Sequence, residues 1–203
     1  MLAADDPTVR EIEHALRIAE RSGDDLALAL ARMTLGTALA HHPTAAQRDR
    51  GQKILAEVGE VFRSRGHNLC ELPIVEVYSA RESARCGDRD DAIPLIRAAV
   101  DHLFRDERLL AWGIPATGVL VEMLLDRGAA ADAAEALAAI ERLATAPADD
   151  GLVIREIWLL RSRTLLARAR GDKVAYADLR DRYRDMAKTL GFEGHIAWAE
   201  EMP

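Results

Sequence analysis

Two arginines, Arg161 and Arg168, stand one heptad apart within a single amphipathic segment. At about 100° per residue, Val153, Ile157, Leu160, Thr164 and Ala167 fall on one side, and Ile154, Trp158, Leu165 and Ala169 on a second. The arginines occupy the gap between these apolar stripes. Guanidiniums placed there could line a groove and hold a carboxylate or phosphate through paired N–H donors. The plainer reading, and the preferred one, is a solvated strip crossed by salt bridges within the chain.

Other reactive residue types do not assemble into a site. His41 and His42 precede Pro43 at a predicted helix end, and neighbours on a helix point about 100° apart. They cannot easily share one metal, so they read as a C-terminal pair favoured by the helix dipole. His14, His67, His102 and His195 have no carboxylate or cysteine at ligand or relay spacing. Asp88-Arg89-Asp90-Asp91 resembles the start of a calcium loop, but Ile93 and Ala99 hold the sixth and twelfth places, where a glycine and an acid are needed. These acids read instead as complements to a helix N-terminus. Cys70 and Cys86 lie 16 residues apart in one predicted helix, roughly 24 Å by the helical rise. That is too far for a disulfide, and both read as small core or half-buried residues. Trp112, Trp158 and Trp198 sit in apolar segments and read as core rather than as a ligand cage. Asp178/Arg182, Asp181/Arg184 and Asp185/Lys188 have helix-pairing spacings and read as a solvated face. Neither a GxxxxGK[ST] phosphate loop nor a GxGxxG turn occurs. No catalytic, cofactor-binding or metal residue is assigned.

Composition says what must carry these residues. The 203 residues are 49% hydrophobic but only 4% aromatic, and rich in Ala, Leu, Arg and Glu, a profile of helices packed through small side chains. No stretch reaches about 18 uncharged apolar residues. The N-terminus lacks the basic and apolar regions of a signal peptide, so the expected location is the cytoplasm, with no membrane partner. The net charge of −7 is uneven: residues 1–150 carry 17 basic and 26 acidic groups, whereas 151–190 carry 10 and 5. The acidic balance disfavours nucleic acid, although the basic segment could face an acidic partner.

Helix signals recur along the whole chain. An unpaired first helix is predicted over 7–22, with Ile12, Ala15 and Ala19 on one face. Helix pairs follow at about 25–65, 69–105, 109–144 and 151–190, and a short capping helix lies within 193–202. Thr44 with Gln47 reads as a capping box. Pro73 and Pro94 read as first-turn residues, and Pro115 either starts or kinks its helix. Gly171 and Asp172 supply a C′ glycine and an N-cap between the last two long helices. The second of these carries one seam, Tyr176, Leu179, Tyr183, Met186 and Leu190. Turn glycines Gly87, Gly128 and Gly171 are 41 and 43 residues apart, and the His42 turn lies 45 before Gly87. A helix pair recurring at this period predicts an all-α fold, an α-solenoid of antiparallel pairs forming a single domain over 1–203.

Four segments carry a family resemblance: Leu35-Gly36-Thr37-Ala38-Leu39, Arg85-Cys86-Gly87-Asp88, Ala111-Trp112-Gly113-Ile114-Pro115-Ala116, and the ending from Leu190-Gly191-Phe192 through Ala197-Trp198-Ala199-Glu200. Over roughly 24–203 the chain resembles the tetratricopeptide-like C-terminal region of large bacterial signalling proteins. Those proteins join a class III nucleotide-cyclase domain, a STAND-type ATPase domain and this helical array, and some end in a LuxR-type helix-turn-helix. The matching residues are packing and turn residues, and Arg48 stands where the repeat consensus expects alanine. The resemblance implies a superhelix without cofactors, and it places any cyclase or ATPase activity in a parent or partner chain.

The sequence therefore points to a non-catalytic interaction and regulatory module acting on a protein partner or a linked cyclase or ATPase domain. A free-standing adaptor, or a homo-oligomer formed through the first helix, is the alternative. A nucleic-acid or small-ligand binder using the basic 151–190 hairpin is a third reading.

Overall fold

Glycine and aspartate set the helix boundaries. The structure, a computed structural model, describes residues 6–66, 71–87, 89–105, 112–147 and 151–203. Among these, the regular elements are all helices and no strand occurs. In order they are α1 (Asp6–Ser22), α2 (Asp25–Ala40), α3 (Ala45–Arg65), α4 (Leu72–Arg85), α5 (Arg89–Arg105), α6 (Ile114–Arg127), α7 (Asp132–Thr145), α8 (Val153–Ala169), α9 (Lys173–Leu190) and α10 (Glu193–Glu200). The predicted starts near residues 69 and 109, together with His67, Cys70 and Asp88, lie outside the described residues.

The α8–α9 turn shows how local chemistry fixes the chain. Gly171 has φ +72°, a left-handed value that costs an L side chain roughly 1–2 kcal/mol. Its N–H donates to the Arg168 carbonyl and the Asp172 N–H to the Ala167 carbonyl, both at 3.0 Å, which satisfies the last turn of α8. The Asp172 carboxylate then accepts from the Ala175 N–H at 3.0 Å and opens α9. Asp24 does the same for α2, accepting from Leu26 and Ala27.

Four local expectations need correction. Thr44 makes no capping bond to α3; its N–H donates to His42 Nδ1 at 3.2 Å and its hydroxyl lies 3.0 Å from the same nitrogen, so the turn before α3 engages it instead. Pro94 lies inside α5, beyond the first turn, because that helix already begins by Arg89. Ala15 is exposed, and the buried face of α1 is Val9, Ile12 and Ala19 with Leu16 half-buried. Cys86 is an exposed free thiol rather than a core residue, because it caps the C-terminal end of α4, beyond the helix's buried face.

Successive helices pack on one another, and the even-numbered α2, α4, α6 and α8 also touch in sequence. The main core runs from α2 to α10, and a smaller cluster joins Val9 and Ile12 of α1 to Leu35, Ala38 and Leu39 of α2. Missing side chains permit two close approaches. A Cβ on Gly51 of α3 would stand 2.9 Å from the Gly36 carbonyl oxygen of α2. A Cβ on Gly118 of α6 would stand 2.2 Å from the Trp158 ring of α8. The large indole of Trp158 is thus seated against bare backbone, which brings α6 and α8 close enough for their polar side chains to meet.

Candidate functional site

The side chains that meet there lie about forty residues apart in sequence. Arg81 of α4 donates through Nη1 to His41 Nδ1 at the end of α2, 3.1 Å away and 40 residues earlier. Through Nη2 it reaches Glu122 Oε1 of α6 at 3.4 Å, 41 residues later. The other Glu122 oxygen accepts from Arg161 Nη2 of α8 at 3.1 Å, across a further 39 residues. Each successive even-numbered helix contributes one member of this rung.

Burial makes the rung unusual. Arg81 and Arg161 are 7% and 6% exposed, and two guanidiniums share one carboxylate. Nε and Nη1 of Arg161 are buried without a hydrogen-bond partner among the described residues. An unsatisfied buried donor costs about 1–3 kcal/mol, more than a charge-neutral packing site would demand.

Electrostatics follow from the geometry. Burial works to raise the Glu122 carboxyl, but the charges of Arg161 and Arg81 overcome it and hold the group at about 2. Burial, reinforced by the charge of Arg81, holds His41 well below its usual 6.5. Its Nδ1 can therefore accept from Arg81, and this is not the dipole-favoured cation that its place at a helix end suggested. Tyr78, whose ring meets that of His41 at 5.2 Å, is pushed by burial up to about 12.

One or two helical turns further on, Arg85, Asp126 and Arg168 repeat the same pattern on α4, α6 and α8. This outer rung is open: Arg85 and Arg168 are exposed, and neither has an ion-pair partner among the described residues. Burial and the neighbouring Glu122 raise the Asp126 carboxyl. The rungs line a cavity of about 590 Å³.

Helix α10 lines one side of this cavity. Trp198 of α10 lies over the Arg161 guanidinium at 4.6 Å and beside the His41 and Trp158 rings at 5.3 and 5.7 Å. His195 anchors α10 in the core, with Nδ1 2.7 Å from the Tyr183 hydroxyl. Burial, with the charge of Arg161, pushes it down to about 3.

Of the two arginines singled out in the sequence, Arg161 is thus buried at the centre and Arg168 stands exposed at the rim. Arg81 and Glu122 were not found by residue type or short spacing, and His41 was read there only as a cation at a helix end. The available signal was the period itself, since 40, 41 and 39 lie close to the turn-glycine intervals of 41 and 43. Asp178–Arg182 and Asp181–Arg184 form exposed or half-exposed pairs on α9. Trp158 is core, whereas Trp112 and Trp198 are half-buried. His14 is exposed, and Asp90 and Asp91 lie in the first turn of α5. Among the described residues no three His, Cys, Asp or Glu side chains could jointly hold a metal ion. No helix there is long and apolar enough to cross a membrane.

No family model, curated protein or solved structure matches the chain.

Proposed function

We propose that the chain is a non-catalytic helical-repeat module that binds a partner segment in the groove of α2, α4, α6 and α8. In this reading the helices form an α-solenoid of antiparallel pairs, a tetratricopeptide-like superhelix with the even-numbered helices on its inner face. The observation that carries it is Arg161, buried at the centre of the groove with donors that the fold leaves unused. The regulatory role implied by the family resemblance follows if occupancy biases a linked or partner cyclase or ATPase domain.

The test selects peptide ligands from a displayed random library against the purified chain. It then compares their binding to wild type and to an Arg85→Glu/Arg168→Glu variant with an unchanged thermal melt. Both residues are exposed, so the fold should tolerate the change. At least tenfold weaker binding to the variant supports the reading. Equal binding, or failure to select any ligand, contradicts it.

A second reading, self-association through α1, has one observation behind it: Ile18 is 50% exposed on a helix that packs chiefly on α2. Light scattering separates the two, because a dimer lost on Ile18→Glu would favour the second.

A further inference from the structure

We infer that the cavity between the two rungs takes a carboxylate group, received by Arg161 on its floor and by Arg85 and Arg168 at its mouth. This rests on the reading of the groove as a binding surface and names the chemistry of its ligand.

Three observations lead there. Arg161 is more than nine-tenths buried, lines the cavity, and keeps Nε and Nη1 without a partner among the described residues. Its guanidinium is held by the ionised Glu122 carboxylate and lies beneath the Trp198 face, and since Nε and Nη1 are themselves closed to solvent, an anion reaches them by displacing that ring. At the mouth, Arg85 and Arg168 offer exposed guanidiniums on either side of Asp126, with no ion pair among the described residues to break first.

Charge then narrows the class of anion. Although the whole chain carries −7, five arginines line this cavity against four carboxylates. Arg48 is already paired with Glu82, so the other four arginines balance the four carboxylates, and a singly charged carboxylate adds the least uncompensated charge. A phosphate dianion would add twice that charge and confront Glu122 below and Asp126, Glu193 and Glu201 around the rim. The planar carboxylate also matches a guanidinium edge through two parallel hydrogen bonds. Both a small organic acid and an acidic side chain of a polypeptide present this group.

Trp198 and Trp158 supply the readout, since each ring lies within 6 Å of the Arg161 guanidinium. Tryptophan fluorescence of the full chain is titrated with propionate, with an acetylated and amidated hexaglutamate, and with inorganic phosphate at constant ionic strength. A saturable response to propionate or hexaglutamate, weakened about tenfold by Arg168→Ala and by Arg85→Ala but not by Arg182→Ala on α9, supports the assignment. A hexaglutamate affinity exceeding that of propionate by more than its sixfold valence identifies a polypeptide source, and the reverse identifies a small acid. Phosphate binding more tightly than both, or a response unchanged in the two rim variants, overturns the assignment. Carboxylate silence from a chain that still binds library-selected peptides overturns the carboxylate assignment alone. Silence towards every probe overturns the groove reading with it.

Discussion

Between α5 and α7, Arg97 and Arg142 each have an anion of their own. Arg97 meets Glu135 through two N–H donors at 2.6 and 2.9 Å, and Arg142 pairs with Asp101 while stacking 3.9 Å from the Phe104 ring. All four charged side chains are about a third to a half exposed. On α4, α6 and α8 two buried guanidiniums divide one carboxylate, and one of them retains unused donors. Half-exposed one-to-one pairs contribute about 0–1 kcal/mol and cost little to form. The buried cluster carries a desolvation penalty that its attractions do not reliably recover. Both regions bridge helices at the same sequence period, so stapling neighbouring pairs does not explain the difference. The proposed ligand would engage the donors that Arg161 leaves unused.

The comparison breaks most readily at Glu122. Glu122→Ala leaves Arg81 and Arg161 in the groove without a counter-charge, and should cost about 3 kcal/mol. Urea denaturation measures this, and a loss below 1 kcal/mol would place the groove with the outer pairs.

Acid sharpens it from the same side. In the folded chain His195 takes up a proton only near pH 3, whereas unfolded it protonates near 6.5. Its contribution is therefore complete above pH 6.5 and declines as pH falls toward 3. Glu122, held at about 2 against 4.5 when unfolded, contributes above pH 4.5 and loses that contribution as pH falls toward 2. From His195 and Glu122 the wild type should lose about 3–4 kcal/mol between pH 6.5 and 4, and His41, also held below 6.5 by burial, adds to the loss. His195→Gln should flatten that slope, and parallel curves for the two proteins would refute the burial of His195.

Gly118→Ala tests the packing beneath the groove. The added methyl meets the Trp158 ring at 2.2 Å, and overpacking of this kind costs about 2 kcal/mol. The melting temperature should fall and the tryptophan emission should shift, and an unaltered melt would mean that α6 and α8 are not so close. The smallest effect belongs to the outer face: Arg142→Ala should cost below about 1 kcal/mol, and a larger loss would erase the contrast between the regions.

Much of the fold was legible because local rules govern it. Gly171 with Asp172, and Gly23 with Asp24, announce their turns through a left-handed glycine and a carboxylate cap, both set within a few residues. The apolar seam of α9 follows from its spacing of three and four. Thr44 departed from its predicted role because a neighbouring imidazole competes for it, and Ala15 because two adjacent helical faces of α1 are equally plausible by spacing. Gly118 gave no signal, since its role depends on an indole forty residues away. The groove was half legible for the same reason. Arg161 stood out beside its own apolar stripes, but Arg81 and Glu122 are charges among others on α4 and α6 until the packing of those helices brings them together.

One measurement bears most directly on whether the buried rung serves binding rather than stability. The variant Arg81→Met/Glu122→Leu/Arg161→Met replaces all three charges with apolar side chains of similar length, and its urea unfolding is compared with wild type alongside the carboxylate titration. The account expects stability equal to wild type or up to about 3 kcal/mol higher, with the fluorescence response to carboxylate lost. A variant markedly less stable than wild type, or one that still responds to carboxylate, would contradict it.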